Sequence, residues 1–372
     1  MDLAIYHPWL KEKGGAEKVV LETAKRSNHE VTVYTLLYDR ENTFSEFEEI
    51  NIVELGSGKR PESFIQKALY GLKSLTAKIP DGHDKLLISE AGLGSLLAIR
   101  NNEIPIYCYC HTPLRAALPE FKQTYRSEIP TILKPVFDIG TKVYTFLEKK
   151  AWDNFEHVLA NSETTKERII AKGLTHEEKI DVVNPGADID NSKGQYQNYF
   201  LYPSRFRRYK RQDLAIEAFK EAELEDFKLV LAGSAQEQEF VQELREKTAG
   251  LRNIEIKTDL PGDEWQDLYK NGYAVLFLAE KEDWGIIPIE AGSYGKPVIA
   301  VNEGGPTESI INDKTGFLVE PEKKAIAEKM KELANNREKV EAMGEKGLEN
   351  SEKYSWSNFS EKLDDVLDLH DL

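Results

Sequence analysis

Apolar residues fall along this chain in short runs, separated by longer stretches in which they recur every third or fourth position. The runs have the pattern of strands buried on both faces, and the longer stretches that of helices with one packed stripe. In the first half, Leu3–His7, Glu30–Leu36, Lys85–Ser89, Ile104–Cys110 and Val158–Asn161 read as strands, with helices such as Ala16–Arg26 and Gly94–Arg100 between them. The second half repeats the pattern at Tyr199–Pro203, Lys228–Ala232, Asn253–Ile256, Ala274–Leu278, Pro297–Val301 and Gly316–Leu318. Helices are expected there over Gln212–Glu221, Gln236–Ala249, Asp263–Asn271 and Ile287–Tyr294. Such alternation predicts parallel sheets covered on both faces, and two successive series predict two doubly wound α/β domains. Asn184 to Gln197 is rich in turn residues and poor in apolar ones, which makes it the expected linker. The expected domains are therefore 1–190 and 191–354. Residues 355–372 form a last amphipathic helix, with Trp356, Phe359, Leu363, Val366 and Leu367 on one stripe, that needs a surface and is expected to return to the first domain.

A length of 372 residues suits two domains at about 150 residues each. The longest apolar stretch, Tyr273 to Ala279, is far short of the ~20 residues of a spanning helix. The first residues read as a core strand rather than a signal peptide, so a cytoplasmic protein is expected, either free or at the cytoplasmic face of a membrane. Cys108 and Cys110, one residue apart in a strand, supply neither a disulfide framework nor a zinc site. Net charge is −16, from 49 basic and 65 acidic residues, which argues against a nucleic-acid partner. Residues 59–150 depart from this balance, with 14 Lys and Arg against 9 Asp and Glu.

Open α/β sheets bind ligands beyond the carboxyl ends of their strands, so chemistry is sought there. Gly14 and Gly15 follow the first strand and open a helix, where backbone can approach an anion; an ordinary loop would look the same. His111 ends the strand Ile106–Cys110. After Pro203, Ser204-Arg205-Phe206-Arg207-Arg208-Tyr209-Lys210-Arg211 sets five cations in seven positions, a cluster suited to a diphosphate. Beyond the strand Val275–Ala279 comes Glu282-Asp283-Trp284-Gly285-Ile286-Ile287-Pro288-Ile289-Glu290. Its carboxylates can accept hydrogen bonds from sugar hydroxyls, and its Gly285, Ile286 and Ile287 amides lie at a helix start. Glu290 sits among apolar helix neighbours and needs a partner. Asp188-Ile189-Asp190 has the form of a metal-binding Asp-x-Asp, but its place after Asn184-Pro185-Gly186 marks turn residues.

Ser204-Arg205 with Lys210, the Glu282/Glu290 pair, Ala291-Gly292-Ser293-Tyr294-Gly295-Lys296-Pro297 and Gly304-Gly305-Pro306-Thr307-Glu308 together resemble the retaining glycosyltransferases of family 4, which have the two-domain GT-B fold. Gly14-Gly15-Ala16-Glu17-Lys18 and His111 extend the resemblance more loosely into the first half. The resemblance implies two Rossmann-like domains facing across a cleft. It implies that Arg205 and Lys210 neutralise the departing nucleotide diphosphate, that Glu290 holds the ribose, and that Glu282 holds the donor sugar. Gly285, Ile286 and Ile287 would give amides to sugar and phosphate, while Gly233, Ser234 and Leu260 would border the base. His111 would contact the sugar, and Gly14 and Gly15 would lie near the phosphates and acceptor. No metal and no cofactor beyond the nucleotide-sugar donor is expected.

Glu-Asp-Trp-Gly-Ile-Ile-Pro, with His111-Thr112-Pro113-Leu114-Arg115, is most similar to members that use GDP-mannose to extend lipid- or polyprenyl-linked glycans. A mannosyltransferase is expected. A UDP-sugar-dependent synthase of a small soluble glycoside is the alternative; a non-catalytic sugar-nucleotide-binding protein is a third reading, disfavoured by the presence of Arg205, Lys210 and Glu290. Two basic stretches bear on the acceptor: Phe64, Ala68, Leu72, Leu75 and Ile79 with Lys67, Lys73 and Lys78, and Ile132–Lys150 with Lys134, Lys142, Lys149 and Lys150. Their apolar stripes suit either peripheral membrane contact or packing in a core.

Overall fold

The structure, a computed structural model, describes residues 1–56, 71–190 and 194–369. Phe64, Lys67 and Ala68 of the first basic stretch, Asn191–Lys193 of the expected linker and the last three residues lie outside the described residues. Two compact units are present: Met1–Pro185 with Trp356–Leu372, and Gly186–Ser355.

In unit 1, strands β1 (Asp2–Tyr6), β2 (Glu30–Thr35), β3 (Ile52–Glu54), β4 (Lys85–Glu90), β5 (Ile106–Cys110), β6 (His157–Ala160) and β7 (Ile180–Val182) form one sheet in the order β3-β2-β1-β4-β5-β6-β7. Every pairing is parallel, with Ile5 opposite both Val33 and Leu87. Parallel strands need crossovers, and the helices that make them cover both faces; this is why β4, β5 and β6 are buried throughout. The edge strands β3 and β7, three residues each and partly exposed, lack an apolar run and were not expected from the sequence. Gly94–Arg100 forms a 3-10 helix rather than the expected α-helix. Its start carries Gly94 and Ser95, poor helix formers, and the Glu90 carboxylate draws in the Gly92 and Ser95 amides.

The helix Trp356–Leu369 belongs to unit 1. Trp356, Phe359, Leu363 and Leu367 are buried. Phe359 meets Tyr109 edge-on at 5.6 Å, and Asp364 accepts from the Ser27 hydroxyl at 2.7 Å and the Asn28 amide at 2.8 Å. Lys85, buried at the start of β4, donates to the Leu367 carbonyl.

Unit 2 contains β8 (Tyr199–Pro203), β9 (Lys228–Gly233), β10 (Ile254–Thr258), β11 (Ala274–Phe277), β12 (Val298–Val301) and β13 (Gly316–Val319), all parallel, in the order β10-β9-β8-β11-β12-β13. The chain therefore steps outward from β8 to β10, then returns to the other side of β8 for β11. Each unit is a Rossmann-like doubly wound sheet, and the reversal at β8/β11 is the place where such sheets open a ligand site.

Leu363 is fully buried, so Leu363→Ala should cost about 2–5 kcal/mol of unit 1 stability. Urea denaturation followed by circular dichroism measures it; a loss below about 1 kcal/mol would show that the helix is not integral to that unit's core.

Candidate active site

The loops after β8, β9, β10 and β11 are stitched together by backbone. Ser204 N–H donates to Ala232 O at 2.8 Å, Phe206 N–H to Ser234 O at 3.0 Å, and Asp259 N–H to Gly233 O at 3.0 Å. Gly233, at the end of β9, lies so close to Ser204 that a Cβ would overlap the Ser204 carbonyl. Ser204-Arg205, Gly233-Ser234 and Asp259-Leu260 thereby share one rim, with Leu260 packed on the unit 2 core.

Lys210 lies in a 3-10 turn and is 5% exposed. Its ammonium donates to the Glu282 carboxylate at 2.5 Å and lies 5.4 Å from the Phe277 ring. Tyr202 in β8 ties the two loops: its hydroxyl donates to the Lys210 carbonyl and accepts from the Leu278 amide at 3.1 Å. Glu282 is placed by the loop after β12. The Gly305 amide donates to Glu282 O at 2.9 Å, and Gly304 has φ +65° with no room for a Cβ against the Glu282 backbone. Gly285 has φ +79°, and a Cβ there would press on Phe277. It leads into the helix Ile287–Ser293, whose first amides, from Ile286 onward, precede the intrahelical bonding.

Glu290 lies in that helix and accepts from the Tyr269 hydroxyl at 2.7 Å. Burial pushes its carboxyl above the ordinary range; the Tyr269 bond opposes this and the Asp188 charge adds to it. Asp188-Ile189-Asp190 thus lies in the surroundings of Glu290: Ile189 packs beside Trp284 and Ala187, and Asp190 is 3.8 Å from Lys270. Among the described residues, no group of three or more His, Cys, Asp or Glu side chains could hold a metal ion.

The five-cation segment is less bare than its sequence suggests. Arg208 pairs with Glu243 at 2.5 Å and Arg211 with Glu303 at 3.2 Å, while Arg207 donates to Gln236 at 2.6 Å. Acids from a neighbouring helix and loop therefore neutralise Arg208 and Arg211. Glu303 follows β12 and also accepts from the Lys281 amide at 3.3 Å; the rule that picked out the other strand ends would have found it.

Three candidates belong to unit 1. His111 follows β5; its Nε2 meets Ser89 Oγ at 2.9 Å, and the same oxygen meets His7 Nδ1 at 2.9 Å. Burial pushes His111 down to about 3 and His7 down to about 4, so both rings are neutral at pH 7. Sequence reading missed His7 and Ser89, although both sit at strand ends. Gly14 is the N-cap of the helix Gly15–Arg26, with an extended φ of −101°, and a Cβ at Gly15 would meet open space. Neither glycine is demanded by backbone shape.

The family model "Glycosyltransferase Family 4" matches residues 13–191, and "Glycosyl transferases group 1" matches residues 188–350. The chain belongs to glycosyltransferase family 4. This family 4 chain is 25% identical to the alpha-1,3/1,6-mannosyltransferase ALG2 of Dictyostelium discoideum, over 99% of this chain and 98% of that protein. It is also 25% identical to the sulfoquinovosyl transferase SQD2 of Arabidopsis thaliana, over 73% of this chain and 53% of that protein. Among solved structures, Anabaena Alr3699/HepE in complex with UDP and glucose aligns over 99% of both chains with a TM-score of 0.76 at 19% identity. The fold is GT-B.

Because the folded Glu290 carboxyl is raised above its ordinary value of 4.5, ionising it opposes folding as pH rises from there. Glu290→Gln keeps an acceptor for Tyr269 without that charge. Its melting temperature should match the wild type near pH 4 and exceed it by pH 8. Equal melting temperatures at both pH values would show that Glu290 carries no burial cost.

Proposed function

We propose that this glycosyltransferase moves a hexose, mannose from GDP-mannose, onto a glycan or lipid-linked acceptor with retention at the anomeric carbon. The observation that carries the reading is the Lys210–Glu282 pair, its lysine buried and its glutamate partly so, at the β8/β11 reversal, where one cation and one carboxylate meet beyond the strand ends. Breaking the anomeric C–O bond builds negative charge on the β-phosphate and positive charge on the ring carbon. In this reading Lys210 and Arg205 meet the first charge, Glu282 orients the sugar hydroxyls, and the Gly285–Ile287 amides add fixed dipoles. Preorganised charges of this kind supply much of an enzyme's rate enhancement. Glu290, held by Tyr269, takes the ribose; Gly233, Ser234 and Leu260 border the base. Fixed cations at the phosphate make a metal unnecessary. For unit 1, His111, Gly14 and Gly15 are carried by the family resemblance. The likeness to the mannosyltransferase ALG2 along nearly the whole chain supports mannose.

A UDP-sugar donor is the second reading, favoured by the fold shared with a protein solved with UDP and glucose. A hydrolysis screen of purified protein over GDP- and UDP-sugars separates the two: GDP-mannose should turn over fastest, and a preference for any UDP-sugar would replace the first reading with the second. Lys210→Ala should lower kcat about 100-fold or more with a smaller change in donor KM, since the charge matters most as phosphate leaves. Full activity in this variant contradicts the assignment. EDTA should leave turnover intact, and a strict divalent-metal requirement would contradict the proposed use of fixed cations.

A further inference from the structure

The helix Lys134–Trp152 has two apolar faces, and only one is packed within unit 1. Phe137, Tyr144 and Trp152 are buried. On the opposite side Ile132, just before the helix, and Val136, Ile139, Val143 and Phe146 recur at steps of three and four, which places them in one stripe. They are between 53% and 85% exposed, and among the described residues this segment holds half of the large apolar side chains that stand open to water. Scattered exposed apolar side chains are ordinary, but a contiguous stripe marks a contact surface.

Charge says what the surface meets. Lys142, Lys149 and Lys150 are exposed on the same helix, with Lys150 lying 4.7 Å from the Phe146 ring centroid. The helix has two acids, and both have basic partners: Asp138 pairs with Arg126 at 3.1 Å, and Glu148 turns inward to Lys172. The outer face is therefore apolar and basic, within a sector of 14 Lys and Arg against 9 Asp and Glu, in a protein of net charge −16. Among the described residues no helix is long and apolar enough to cross a membrane, so this one would lie along a surface.

We propose that the stripe from Ile132 to Phe146 rests in the headgroup region of an anionic lipid bilayer, with Lys142, Lys149 and Lys150 at the phosphates. Apolar side chains on one face and lysines beside them are what an in-plane helix uses to bind such a surface. A second copy of the chain fits less well, because a symmetric contact would set these lysines against each other. The proposal goes beyond the transfer reaction and does not depend on it.

Flotation of the full chain with vesicles of about 30% phosphatidylserine, and with purely phosphatidylcholine vesicles, tests it without any donor. The wild type should float with the anionic vesicles at low salt and be released by high salt. Val136→Asp/Phe146→Asp should reduce binding at least about tenfold, with unchanged circular dichroism and melting temperature because both side chains point outward. Lys149→Gln/Lys150→Gln, which leaves the stripe intact, should weaken binding about fivefold per lysine. Failure of the wild type to float, or flotation unaltered in both variants, overturns the proposal. A wild-type dimer that Val136→Asp/Phe146→Asp converts to monomers overturns it in favour of a contact between copies.

Discussion

The site in unit 2 depends on one ion pair held at the ends of two strands. A lysine and a glutamate taken largely out of water cost more in lost hydration than their attraction alone returns, unless geometry and further hydrogen bonds support them. Here the support is one hydroxyl and close backbone packing: the Tyr202 hydroxyl bonds to both loops, and Gly304 and Gly305 let the loop after β12 lie directly on Glu282 and Trp284. The pair is poor value as a stabilising device. In the proposed reading it is a preset charge, with Glu282 aiming the Lys210 ammonium until an anion of higher charge takes it.

Unit 1 follows a different electrostatic rule. His7 and His111 share one hydroxyl in a dry interior and stay neutral, and Ser89, with a single hydroxyl proton, can donate to at most one of the two rings. Glu90 nearby is pushed up to about 7 by burial, despite the amides of Ser95 and Gly92 that favour its ionised form. Opposing slopes with pH follow. The histidines contribute stability that is present above 6.5 and lost as pH falls through their depressed values, whereas the Glu90 contribution is present below 4.5 and lost as pH rises toward about 7.

What could be read from the sequence was set by burial. Strands covered on both faces spell themselves as apolar runs, so β4, β5, β8 and β11 were visible, while the half-covered β3 and β7 were not. Looking just past the strands brought up Arg205, Lys210 and Glu282, two of which the structure joins directly. Tyr202 and Tyr269 stayed hidden because a tyrosine in a strand or on an amphipathic helix looks like core; only the tertiary fold shows where the hydroxyl points. The five-cation segment read as unneutralised because Glu243 and Glu303 are distant in sequence. In Ile132–Lys150 the two readings held open at the sequence level divide between two faces of one helix: Phe137 and Tyr144 are packed, whereas Val136, Val143 and Phe146 are exposed.

The claim that Lys210 is a preset anion-binding charge is tested most directly by calorimetric titration of GDP and UDP, without sugar, onto wild type, Lys210→Met and Glu282→Gln. The account predicts affinity lowered at least about tenfold in Lys210→Met, and unchanged or higher in Glu282→Gln, where the competing carboxylate is neutral. Lys210→Met binding either nucleotide as tightly as the wild type would contradict it.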